Sequence, residues 1–255
     1  MRFRIIILII LSATVQAQAE NGHDLWLRAE KNATVTALCA KNSPTLTIAR
    51  KELEQGWRGK DGAKVNLVVK NDRAIRGDGF KLSANTVQAN TEIGVLYSVY
   101  EVLRRQQTGQ FFREEIISNP SYQRRILNHW DNMDGSIERG YAGNSIFWRN
   151  NEEGYTVTER DKTLWKEYAR ANASIGINGA VLNNVNASPL ILTSECLQKV
   201  KAIADALRPY GITTYLSIKF SSPSLIGGLK TSDPLNPGVI KWWNDKINEI
   251  STSSQ

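Results

Sequence analysis

"RILNHWDNMDGSIERGYAG", residues 125–143, decides how this chain is read. It opens like a packed strand. It then sets down a His, a Trp, two Asn, two Asp, a Glu and an Arg within a dozen positions. The segments after it repeat a rhythm. "DKTLWKEYARANASIG" reads as a helix stopped by Gly176, "INGAVLNNVNA" as a strand, and "LTSECLQKVKAIADALRPYG" as a helix ending near Gly211. "ITTYLSIKFSSP" is a third strand, and "DPLNPGVIKWWNDKINEI" a helix with Pro237 near its start. One helix per strand with short turns predicts a parallel sheet. Each strand ends in polar residues: Asn128-His129-Trp130-Asp131-Asn132, then Asn183-Asn184-Val185-Asn186, then Lys219-Phe220-Ser221-Ser222-Pro223. The C-terminal ends of parallel strands are where α/β proteins place their chemistry. The stretch is polar because it crosses from packed strand into a binding face.

Upstream, residues 20–112 read as a small α/β unit. "HDLWLRAE" is a candidate strand. "SPTLTIARKELEQGWRG" is a helix with Ser43 as N-cap and Pro44 at its first position. "KVNLVVKN" is strand-like, and "DGFKLSANTVQAN" reads as a turn with a short strand. "TEIGVLYSVYEVLRRQQTG" has apolar residues at helical spacing, basic residues in its last turn and Gly109 as its stop. Residues 113–124, around Asn119-Pro120, are expected to link this unit to a second one over 125–255. Residues 1–19 carry a short basic start, an apolar run over Ile5–Ala13 and small residues at 17–19, which is the pattern of a secretory signal peptide. Export, to periplasm or medium, is the expectation; an uncleaved anchor is the alternative.

The composition is 41% hydrophobic and 22% charged, ordinary for a globular protein. The net charge of +7 comes from scattered residues, with no run suited to a nucleic-acid face. Two Cys and two His, well separated, offer no metal-ligand spacing, and no glycine-rich nucleotide motif occurs. No cofactor is expected. Cys39 and Cys196 are read as free thiols, with a bridge as the alternative.

Asn, His, Trp and Asp side chains together suit a polyhydroxylated ligand. Asn offers donor and acceptor to neighbouring hydroxyls, and Trp a flat apolar face for a sugar ring. Asn and Asp also cap turns, but three strand ends at one edge favour the binding reading. His129 is expected at the site. Trp148, in a loop beside charged residues, is expected to stack on a ligand. Trp242 and Trp243 are read as helix packing, and Glu138 and Arg139 as braces of the long loop.

"RILNHWDNMDGSIERGYAGNSIF", "YARANASIGINGAVLNNVNA", "RPYGITTYLSIKFSSP" and "IGGLKTSDPLNPGVIKWW" resemble, in order and spacing, the α-glucuronidases of glycoside hydrolase family 67. The resemblance runs from about residue 22 to 250. It implies a small α/β domain like that preceding the barrel in β-hexosaminidases. The first three βα units of a TIM (β/α)8 barrel, incomplete here, would follow. It implies removal of α-1,2-linked (4-O-methyl)glucuronic acid from xylooligosaccharides with inversion, by one Glu as acid and a Glu and an Asp activating water. By resemblance, the substrate-binding residues are Trp148, Asn183, Asn184, Val185 and Asn186, with Val185 as the apolar contact to the 4-O-methyl group. His129 and Asp131 line the same face. The family's acid and base lie beyond the segment matching "WWNDKINEI", so no catalytic residue is assigned, and the 255-residue chain is expected to be an inactive part of a longer enzyme. Two alternatives stand beside this: a noncatalytic carbohydrate-binding protein and a β-hexosaminidase-like glycosidase.

Overall fold

The computed structural model describes residues 22, 24–28, 30–110, 114–140, 143–149 and 155–253. The expected signal segment lies outside them. The first sheet has five strands in the order β1-β2-β4-β3-β5. They are β1 (Val35–Cys39), β2 (Ala63–Val69), β3 (Phe80–Ser83), β4 (Thr86–Ala89) and β5 (Ile116–Ser118). β1, β2 and β4 run parallel, and β3 pairs antiparallel with β4 and β5. Two helices cover one face, α1 (Pro44–Gly56) and α2 (Glu92–Gln107). Ser43 caps α1, accepting from the Leu46 amide at 3.2 Å, and Pro44 sits in the first turn, where a missing N–H costs nothing. The core lies between, with Leu46, Leu53, Val95, Leu96 and Val99 against Val65, Leu67, Leu82 and Val87.

Three sequence expectations change here. Leu25–Arg28, within the expected strand "HDLWLRAE", forms a single 3-10 turn. Trp26 and Leu27 pack against the first core, and the Trp26 indole donates to Ser174 Oγ at 3.1 Å, so long-range burial sets this local shape. "DGFKLSANTVQAN" supplies two strands, β3 and β4. The stretch 113–124 is a connector only in part, because β5 completes the first sheet.

The second sheet is parallel, in the order β6-β7-β8: β6 (Ile126–Asn128), β7 (Gly179–Val181) and β8 (Thr213–Tyr215). Between them run α3 (Glu159–Ala173) and α4 (Ser194–Leu207); a short α5 (Ser222–Leu225) and a long α6 (Pro237–Ser253) follow. Thr158 and Asp161 close a capping box at the start of α3. Trp165, Ala169, Leu182, Ile191, Ile203 and Leu207 fill the core. Trp242 and Trp243 meet edge to face at 4.8 Å and pack against it from α6. Cys39 and Cys196 are both free thiols.

The two units meet through residues that precede the strands of the second sheet. Arg125, before β6, pairs with Asp78 at 3.0 Å. Asn178, before β7, reaches Asp78 at 3.3 Å, and Ile177 O accepts from Tyr97 Oη at 3.4 Å. Before β8, Pro209 O accepts from Thr45 Oγ1 at 2.8 Å. Gly211 holds φ +77°, and a Cβ there would come within 2.6 Å of Ile93 on α2, so both backbone and packing demand glycine. From α3, Arg170 grips the buried Glu52 of α1 with two hydrogen bonds of 2.6 and 2.9 Å. The first unit thus closes the N-terminal edge of the second sheet and leaves its C-terminal edge uncovered.

Candidate functional site

At the C-terminal edge, two asparagines carry the sheet past its last backbone pair. Leu182 N still donates to Tyr215 O at 3.0 Å. The Asn183 side chain then takes over, donating to Ser217 O at 3.0 Å and accepting from Ser217 N at 2.9 Å. On the other side Asn184 N donates to Asp131 O at 2.8 Å. The Asn184 amide nitrogen donates to Asn132 Oδ1 at 3.1 Å and to Glu138 Oε2, while its oxygen accepts from Asn186 N at 2.9 Å. Asn183 and Asn184 are each 2% exposed. Both are spent on holding the strand ends together, because a buried amide left unpaired is costly.

The loop after β6 turns back on itself. Asp131 bridges to Ile137, and Asn132 N donates to Ser136 O at 2.8 Å. Asp134 accepts from the Ser136 hydroxyl at 2.6 Å and its amide at 2.9 Å, which holds its carboxyl below the usual value. Asp131 is buried. Its Oδ2 accepts from Ser145 Oγ, which in turn accepts from the amides of Phe147 at 3.0 Å and Trp148 at 2.9 Å. Asp131 therefore pins the far end of the loop.

That pin corrects the expectation for Trp148. The indole is 1% exposed, its Nε1 donates to Leu182 O at 2.8 Å, and Phe147 beside it is fully buried. Charged neighbours suggested an exposed ring, but the loop drives it into the core. The buried Lys199 ammonium lies 5.9 Å over it. In this structure Trp148 offers no face to a sugar.

His129 is half-buried. Its Nε2 lies 2.7 Å from Tyr168 Oη, and its Nδ1 3.9 Å from Asp131 Oδ1. The edge of Phe147 meets the ring at 5.0 Å. Burial lowers the His129 pKa, and the attraction of Asp131 offsets this only in part. Burial also pushes the Tyr168 hydroxyl well above its ordinary range. The Tyr168 hydroxyl and Nε2 share one hydrogen bond, whose direction follows the imidazole tautomer.

What stays open is the rim. Val185 is 59% exposed and Phe220 81%, with Asn128, Asn186 and Lys219 exposed beside them in sequence. Trp130 is partly exposed, with the Arg139 guanidinium 5.7 Å over its ring. Arg139 adopts φ 62°, a left-handed conformation that costs a non-glycine residue about 1 kcal/mol. Glu138 braces Asn184 and Arg139 braces Trp130, so each steadies the loop through a separate contact. Sequence reasoning passed over Tyr168 and Ser145, which fix His129 and Asp131. It also passed over Phe220, whose only signal was an aromatic ring inside a polar strand end. Among the described residues no group of three His, Cys, Asp or Glu could hold a metal ion.

The family profile described as "Glycosyl hydrolase family 67 middle domain" matches residues 105–253. The chain belongs to glycosyl hydrolase family 67. Among its curated relatives, the α-glucuronidase of Hypocrea jecorina is 34% identical, over 98% of this chain and 35% of that protein. The α-glucuronidase A of Aspergillus tubingensis is 45% identical over 69% of this chain and 21% of its own length. The chain thus spans about a third of the length of the curated relatives it matches. In fold it is similar to a solved GH138 enzyme targeting pectin rhamnogalacturonan II, with a TM-score of 0.57 and 15% identity over 86% of this chain and 29% of the other.

Proposed function

We propose that this chain is the front portion of an α-glucuronidase that removes α-1,2-linked (4-O-methyl)glucuronic acid from xylooligosaccharides with inversion. The observation that carries the reading is the C-terminal edge of β6-β7-β8, where a family-67 chain gathers its polar and exposed aromatic residues on the face opposite its sealed end. In this reading β6, β7 and β8 are the first strands of a (β/α)8 barrel, and the unit before them is the hexosaminidase-like N-terminal domain. The free edge of β8 supports it: a groove of about 580 Å³ beside that strand, lined by Leu197, Val200, Thr214, Leu216 and Ile250, leaves room for a further parallel strand. Export follows from residues 1–19.

Val185 and Asn186 form the sugar-contacting rim, with Val185 against the 4-O-methyl group. His129 presents its ring from the floor. Asp131, Asn183 and Asn184 hold that rim in place rather than touching sugar. Neither Asp131 nor Glu138 serves as acid or base, because Asp131 holds a buried hydrogen bond and Glu138 a half-buried one, and both fix the loop. An inverting pair of carboxyls about 6.5–9.5 Å apart must then come from segments of the longer enzyme.

The test is release of glucuronic acid from aldouronic xylooligosaccharides, followed by chromatography, with the product anomer read by proton NMR. The longer enzyme from the same source should release it with inversion, and the 255-residue chain alone should release none. Robust turnover by the short chain, or a retained anomer from the longer one, sinks the proposal.

A further inference from the structure

We propose that two copies of this chain join along β1, each strand pairing antiparallel with its twin about a two-fold axis at Ala37. This goes beyond the reading above and does not depend on it. β1 ends the first sheet, and no described strand lies beyond it. Its five residues, Val-Thr-Ala-Leu-Cys, include no charge, proline or glycine. β5 at the other end of that sheet has three residues, as do β6 and β8, which end the second. Charge, proline or shortness commonly blunts an edge strand, and β1 has none of these.

The ladder fixes which backbone groups of β1 face outward. Asn66 N donates away from β1, to Asn85 O at 2.9 Å. Val65 and Leu67, its neighbours on β2, therefore turn their backbone groups toward β1. In the parallel register Ala37↔Val65, the groups that Val65 bonds belong to Thr36 and Leu38. Thr34 O, accepting from Gly62 N at 3.0 Å, continues that side. The N–H and C=O groups of Val35, Ala37 and Cys39 point the opposite way. Among the described residues no turn, loop or side-chain hydrogen bond takes them.

That alternation is symmetric about Ala37, as a two-fold contact between identical strands requires. Ala37 faces Ala37 of the second copy, Val35 faces its Cys39, and each facing pair exchanges both N–H···O bonds. On the outer face Leu38, 44% exposed, meets Thr36 of the second copy, and the two five-stranded sheets become one. Charge agrees with this register. Thr34 falls opposite Ala40 of the second copy, so Lys41 of that copy leaves the seam beside Thr34. Asp61 is held there, accepting from Thr34 N at 2.7 Å and Thr34 Oγ1 at 2.6 Å. Asp61 and Lys41 are both exposed. The two-fold axis repeats the contact, so a carboxylate meets an ammonium at each end of the seam. Lys64, on β2, stands one strand back from it. An unrelated chain would have to match both the alternation and the charges, and a second copy matches them by symmetry.

The experiment is sedimentation equilibrium of the 255-residue chain at micromolar to submillimolar concentrations. The mass should rise to twice that of the monomer and stop there. Ala37→Pro removes an N–H that points out of the monomer, a position where an edge strand tolerates proline, and should weaken association at least tenfold. Thr214→Pro is its control on β8. Thr213 N donates to Asn178 O and Tyr215 O accepts from Leu182 N, so the Thr214 backbone also points out of its sheet. That variant should change association less than twofold. Lys41→Glu sets two carboxylates together and should weaken the dimer about fivefold, and Lys41→Glu with Asp61→Lys should recover most of the loss. Circular dichroism melting checks that each variant folds; if Ala37→Pro does not, the Lys41 and Asp61 variants decide. A monomer at every concentration overturns the proposal. So does association that Thr214→Pro abolishes and Ala37→Pro does not, or a Lys41→Glu chain that dimerises as well as the parent. Release of glucuronic acid is measured separately, so the enzyme reading stands or falls on its own assay.

Discussion

Replacing Arg170 with Ala should loosen the joint between the two units. Glu52 has a side chain only 8% exposed, and both its oxygens accept from the Arg170 guanidinium. Removing one partner of a buried pair strands the other charge, at a cost of about 3–5 kcal/mol. The Arg170 side chain is 32% exposed, so water reaches the emptied position and the lower end, about 3 kcal/mol, applies. For a chain of this size each kcal/mol moves the melting temperature by about 2–4 °C, which predicts a fall of roughly 6–12 °C. Scanning calorimetry of Arg170→Ala, Glu52→Leu and the double variant Glu52→Leu/Arg170→Leu is the assay. The double variant should recover much of the loss, because no lone charge remains buried. A shift under about 2 °C for Arg170→Ala, or a double variant no better than either single one, would refute the reasoning.

Three further outcomes are expected. Trp148→Phe leaves the buried Leu182 carbonyl unpaired and should lower stability by about 1–3 kcal/mol in urea titration, with xylooligosaccharide affinity unchanged within about twofold; lost affinity at unchanged stability would restore the stacking role. Val185→Glu, on an exposed position, should leave stability within about 0.5 kcal/mol but weaken xylooligosaccharide binding by calorimetry, and unchanged binding removes Val185 from the rim. His129 titrates below its ordinary value, so as pH falls the unfolded chain takes the proton first. Its contribution is complete above about pH 6.5 and is lost between there and its lower folded-state value. The melting temperature should drop between pH 7 and 5, and His129→Gln should flatten that drop; an identical slope in the variant clears His129.

The helices were legible because their signals are local. Ser43 marks a start, and Gly176 and Gly211 mark stops, through local backbone chemistry. The parallel second sheet was legible from its rhythm alone. One miss is local, the β3–β4 hairpin with its two-residue turn; the others involve distant partners. Leu25–Arg28 takes its shape from the first core and Ser174. The three-residue β5 exists because β3 offers it an edge. Trp148 faces inward because Asp131 and Ser145 fold its loop down. The polar strand ends were found, but their split was not. Asn183 and Asn184 read like Asn186 in sequence, yet two are buried braces and one is exposed. Only the positions of Ser217, Asn132 and Glu138 distinguish them.

The two braces also fix an order of assembly during synthesis. A ribosome releases the chain from its N-terminus. When Asn184 emerges, its partners Asp131, Asn132 and Glu138 are already free of the tunnel, so the β6 side of the edge can set at once. Asn183 must wait until Ser217 has been made, more than thirty residues later. A pause in translation between those two residues would hold a nascent chain whose rim is rigid on one flank and unformed on the other.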